Sequence, residues 1–144
     1  MRRLAPVLAC IALAAAAPAA AQNDRDSQLG GLAEDILRTA ALERGSFAAC
    51  PATGPDAAEA QGLLRRGWEL DIAETRKLLL EHGLSEGHVT ALLARFSLDK
   101  VRPGITEPAA LGAYCAAVGD WLTRYLQFRY ITPQAEIRRR LAQR

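Results

Sequence analysis

The chain has 144 residues, half of them hydrophobic but few aromatic, and a formal charge of +2. That length suits one domain with a modest core and excludes two. Abundant alanine and leucine, with almost no β-branched runs, exclude a sheet protein and predict an all-α fold. The expected architecture is a small helical bundle of about four to five helices with one disulfide, preceded by a cleaved signal peptide.

Residues 1–21 read as that signal. Arg2 and Arg3 form a basic start, Leu4 to Ala17 is an apolar run, Pro18 breaks it, and Ala19-Ala20-Ala21 supplies the small residues of a cleavage site. A membrane-spanning helix needs about 20 strongly apolar residues, and this run is shorter and mostly alanine. Export to the periplasm or beyond is therefore expected. Cys10 leaves with the signal, so Cys50 and Cys115 remain alone in the mature chain and are expected to pair. Closing a loop of that length restricts the unfolded chain by about 4 kcal/mol in the chain-entropy account.

The helical domain is expected over residues 22–131. Leu29, Leu32, Ala33, Ile36, Leu37 and Ala40 recur at helical spacing. Gly30-Gly31 weakens the first turn of that helix, and Gly45 is placed to end it. The stretch 46–55, holding two prolines and Cys50, reads as a loop. From Asp56 to His82 a long helix puts Leu64, Trp68, Ile72, Thr75 and Leu79 on one face, with a kink allowed at Gly62 or Gly67. Gly83 stops it. Ser85 caps the next helix, with Leu84 and Val89 placed for a hydrophobic staple and Val89, Leu92, Leu93 and Phe96 as its buried stripe.

Residues 97–106 read as a loop into the helix on which the bundle is expected to centre, 108–130. There Leu111, Cys115, Val118, Leu122, Tyr125 and Leu126 form a stripe that Tyr114, Trp121 and Phe128 widen, an arc suited to cover on most sides. Thr132-Pro133 then punctuates. Residues 132–144 are expected to form a separate basic C-terminal helix whose thin apolar side is Ile137 and Leu141.

No catalytic pattern emerges. His82 and His88 lack the companions that a metal site needs, so no metal or other cofactor is expected. No G-x-S-x-G, Walker A, Rossmann glycine pattern, C-x-x-C or C-x-x-C-H occurs. Asp71 falls at the edge of an apolar face, where a carboxylate must be exposed or bonded to a neighbouring arginine or tyrosine. His82, about 16 Å further along the same helix, cannot be its acid–base partner.

Charge is the one uneven feature. Arg124 to Arg144 holds six arginines against Glu136, a balance of +5, so 22–123 carries −5. Arginine without lysine suits bidentate contacts to carboxylate or phosphate. Arg124, Arg129, Tyr130, Arg138, Arg139, Arg140 and Arg144 are the candidate interaction residues. The partners expected are an envelope protein or an anionic lipid surface; nucleic acid is not expected for an exported chain. In size, export signal and cysteine count the chain resembles small exported bacterial helical domains and the acid-stress chaperones of the periplasm, with no motif residue to carry over. The reading is a non-enzymatic interaction module, binding or chaperone-like. The alternative is a hydrolase acting on an envelope polymer through carboxylates that the sequence does not single out.

Overall fold

The computed structural model describes residues 16–98, 105, 107–117 and 121–144. All regular structure among them is helical: α1 (Ala16–Ala48), α2 (Pro55–Glu81), α3 (Glu86–Leu93) with a 3-10 turn (Ala94–Phe96), α4 (Pro108–Ala117), α5 (Trp121–Gln127) and α6 (Pro133–Leu141). No helix among the described residues is long and apolar enough to cross a membrane. The signal segment lies largely outside the described residues.

α1 runs past its expected end. Gly45 is interior to the helix, and its carbonyl accepts from the Ala49 N–H at 2.9 Å. Burial decides this: Arg44 and Phe47 both turn inward, which requires helical backbone on either side of Gly45. The last carbonyls of α1 are then met from outside, because the Gln61 amide donates to the Cys50 carbonyl at 2.9 Å and lies near those of Phe47 and Ala48. Gly30 serves packing rather than weakness. A Cβ there would sit 2.9 Å from Nε2 of His88, so the missing side chain admits the α3 ring.

α2 passes unbroken through Gly62 and Gly67. It starts at Pro55 with Gly54 as N-cap, so Asp56 stands in the first turn and supplies charge to the helix dipole instead of a cap. Its buried face includes Leu64, Trp68, Asp71, Thr75, Leu78 and Leu79, while Ile72 is partly buried. Its end follows the expected design. Gly83 adopts φ 91°, its N–H reaches the Leu80 carbonyl, and the Leu84 N–H reaches that of Leu79. Ser85 accepts from the His88 N–H at 3.3 Å, and Leu84 and Val89 are both buried.

The expected centre is wrong. Within the span 108–130 the described helices are α4 and α5, residues 128–130 lie outside any helix, and no residue of α4 is buried. Val118 and Asp120 lie outside the described residues. α4 is rich in alanine on every side, so its apolar arc reflects composition more than a face with bulk to bury. The main core instead gathers around α1, α2, α3 and α6, through Leu37, Leu79, Val89, Leu92 and Ile137. A second, smaller cluster joins Phe47, Cys50, Ala57, Ala60 and Leu64, and against it Tyr114, Cys115, Leu122, Tyr125 and Phe128 are only partly buried. The Cys50–Cys115 disulfide crosses that cluster with Cα atoms 5.4 Å apart.

α5 ends at Gln127, and residues 128–132 connect it to α6 without regular structure. Pro133 accounts for the restart: it restricts Thr132 to extended backbone, φ −67° and ψ 146°, and takes the first helical position itself. α6 packs on α1 and α2 with Ile137 fully buried and Leu141 partly so.

Candidate functional site

A buried polar assembly sets the position of the connector. Arg44 of α1 is 1% exposed and lies among α1, α2 and the connector. Its Nη2 donates to Asp71 Oδ2 at 3.0 Å, and its Nη1 donates to the Ala40 carbonyl at 3.0 Å. The guanidinium carbon stands 3.9 Å from the centre of the Tyr130 ring and 4.9 Å from that of Trp68. A planar, weakly hydrated cation is suited to such a place, satisfied by hydrogen bonds and by the aromatic faces beside it. Gln134 of α6 reaches the other Asp71 oxygen at 3.4 Å, and Trp68 donates to the Phe96 carbonyl at 2.8 Å. Asp71 is therefore bonded to an arginine, as its place at the edge of the apolar face required. Arg44, its partner, gave no signal in the periodicity.

With Tyr130 held over Arg44, residues 129–131 lie alongside α1 and leave an open groove of about 610 Å³. One wall is α1, where Leu32, Ile36 and Ala40 form an apolar strip beside Asp35, Thr39 and Glu43. The facing wall is Arg129, Tyr130 and Ile131, continued by Glu136, Arg139 and Arg140 of α6. Ile131 is 62% exposed and Tyr130 42%. That volume falls in the range of sites for small ligands and short peptides, about 300–1,000 Å³.

The charges in the groove differ in their engagement. Arg139 binds Glu136 through Nε at 2.6 Å and through Nη2, and Arg140 adds a bond through Nε at 2.8 Å. These hydrogen bonds, with the positive charges behind them, pull the Glu136 carboxyl down to about 2 and raise Arg139. By contrast, Arg129 donates only to the main-chain carbonyls of Leu126 and Phe128 and has no carboxylate partner among the described residues. The side-chain carboxylates of Asp35 and Glu43 likewise make no ion pair among the described residues.

No known family model, curated protein or solved structure matches this chain. The site must be read from its own chemistry.

Four of the candidate interaction residues, Arg129, Tyr130, Arg139 and Arg140, come together in the groove. The other three do not. Arg124 lies over the Phe47 ring at 5.2 Å, in the second cluster, while Arg138 and Arg144 are exposed and do not line the groove. The α1 wall was missed because Leu32 and Ile36 belong to the apolar repeat of α1 and nothing in the sequence singles out Asp35 or Glu43. Leu32 and Ile36 are in fact only partly buried. Among the described residues no three His, Cys, Asp or Glu side chains gather as a metal would need.

Elsewhere, Glu34 is held below the ordinary carboxylate range chiefly by its hydrogen bonds to Arg95, with Arg38 adding to the effect. Burial raises Tyr125, so its phenol stays protonated.

Proposed function

We propose that the protein is exported to the periplasm and acts there as a non-enzymatic helical interaction module, binding an envelope protein through the groove between α1 and residues 129–131. The Arg2-Arg3 start, the apolar run after it and the bonded Cys50–Cys115 pair support export to an oxidising compartment. The observation that carries the binding reading is Tyr130 and Ile131, held exposed at the lip of a preformed groove by the Arg44–Asp71 pair beneath them. Large apolar groups fixed in the open on a rigid base favour docking, since little ordering remains to be done on binding.

The same geometry favours a protein over an anionic bilayer. Asp35 and Glu43 face the connector, and Glu136 already neutralises much of the charge of Arg139 and Arg140. A negatively charged surface approaching here would meet carboxylates as well as arginines. It also counts against the hydrolase reading. Asp35 and Glu43 are separated by about 12 Å of helix rise, beyond the roughly 5–9.5 Å between carboxyls that glycoside hydrolysis uses. Glu136 is ionised at neutral pH and cannot serve as general acid.

Deleting the C-terminal helix would open the main core at Ile137, so point changes are the better test. A photo-crosslinker at Ile131 in the oxidised chain is expected to capture a partner in envelope extract. The same group at Lys77, exposed on the outward face of α2, is expected not to. Equal capture from both positions, or none from Ile131, removes the groove as the binding surface.

A further inference from the structure

On opposite walls the groove presents charges of both signs, Asp35 and Glu43 against Arg129, that have no ion-pair partner among the described residues. Asp35 and Glu43 stand on α1 with Thr39 between them, and Arg129 faces them from the connector with its Nη2 and Nε making no hydrogen bond among the described residues. Between the walls lies an apolar strip of Leu32 and Ile36, with Ile131 opposite. A purely anionic ligand satisfies Arg129 and is repelled by the α1 wall. A purely cationic one does the reverse. Only a ligand with both charges complements the whole groove, and an apolar group between them would cover the strip.

The scale of the groove narrows the class further. Asp35 and Glu43 are about 12 Å apart along the helix axis, the reach of three to four extended residues at about 3.3 Å each. We propose that the groove takes a short extended peptide segment bearing a basic side chain for one of the α1 carboxylates and a carboxylate, such as a free C-terminus, for Arg129. This rests on the groove being the binding surface, and it adds the chemistry of what is bound.

The test uses three N-acetylated tripeptides ending in leucine, titrated into the oxidised chain while the methyl signals of Ile36 and Ile131 are followed by NMR. The first begins with lysine and keeps its C-terminal carboxylate. The second is its C-terminal amide. The third replaces the lysine by alanine and keeps the carboxylate. The first is expected to bind about fivefold more tightly than either of the others, the worth of roughly 1 kcal/mol for a partly exposed ion pair.

Arg129→Gln is expected to abolish the preference for carboxylate over amide while preserving that for lysine. The exposed pair of changes Asp35→Asn and Glu43→Gln is expected to do the opposite, and it leaves the core untouched. Equal affinities for the three peptides, with the methyl signals still shifting, overturn the two-charge ligand and keep the groove as a binding surface. Binding of zwitterionic phospholipid vesicles with no response to any peptide overturns the peptide class. Methyl signals that move with no probe, together with no capture from Ile131, overturn both readings.

Discussion

The apolar cluster shared by α1, α2, α3 and α6 closes around Leu37, Leu79, Val89 and Ile137, each essentially removed from solvent. The cluster beneath α4 and α5 closes around Phe47 and Leu64, and the residues that cover it, Tyr114, Leu122, Tyr125 and Phe128, remain partly exposed. The first is locked by side chains from four helices and by the Arg44–Asp71 pair between two of them. The second is roofed by a helix with no buried residue, bonded at Cys115 to the chain just after α1. Where side-chain burial is ample, noncovalent packing suffices. Where alanine leaves little to bury, a disulfide supplies what packing does not.

The most damaging single change to the main cluster is expected at Asp71. Asp71→Ala leaves the Arg44 guanidinium buried without its counter-charge, a loss of about 3–5 kcal/mol. Urea denaturation measures this directly. Replacing both partners at once, Arg44→Met with Asp71→Leu, is expected to recover most of the loss, because no charge is then left buried alone. If the double variant is as unstable as the single one, the pair holds the helices by more than mutual neutralisation.

Breaking the second cluster is expected to have a smaller and more local effect. Cys115→Ser, or reduction, is expected to lower stability by about 2–4 kcal/mol. Hydrogen exchange should then show protection falling in α4, in α5 and around Phe47, while Ala33 to Ala41 of α1 and Thr75 to Leu79 of α2 keep theirs. A uniform loss across both regions would show that the two clusters open as one unit.

The contrast also explains what the sequence could reveal. Punctuation carried by backbone chemistry was legible: Gly83 and Ser85 do what their residue types require, and Pro133 restarts the chain where expected. The two cysteines could be paired by elimination. Which helix lies at the centre was not legible, because alanine counts as apolar yet buries almost nothing beyond its methyl group. The stretch 108–130 therefore looked more interior than Leu79 or Ile137. Arg44 was invisible for the opposite reason. A lone arginine on an amphipathic helix reads as solvated, and only the convergence of Asp71 and Trp68 of α2 with Tyr130 of the connector makes its burial favourable. Half of the groove went unread with it, since Asp35 and Glu43 acquire meaning only when the connector lies across from them.

A change at Trp68 tests whether the main cluster reaches past α2 to the 3-10 turn. Trp68→Phe keeps a ring beside Arg44 but removes the hydrogen bond from Nε1 to the Phe96 carbonyl. The expected loss is about 1–2 kcal/mol, as for a buried acceptor left unsatisfied. It should appear in thermal denaturation without altered exchange in α4, which shares no hydrogen bond with this pair. Faster exchange in α4 would instead mean that the two clusters are coupled through α2.

Acid should act most weakly, and on the rim of the groove rather than on either cluster. Glu136 is held at about 2 in the folded chain, against an ordinary 4.5, by its hydrogen bonds to Arg139 and Arg140. Between those two values the unfolded chain binds more protons than the folded one. The contribution of Glu136 is therefore complete above pH 4.5 and disappears as the pH falls toward 2. Glu34, lowered by Arg95, works in the same direction. Solvent screening at these exposed sites keeps the effect small. The difference in denaturation midpoint between the natural chain and Glu136→Gln should be constant at higher pH and shrink through that window. A difference unchanged from neutral pH down to 2 would mean that the same ion pairs persist in the unfolded chain. The α6 wall of the groove would then owe its order to Ile137 and the main core alone.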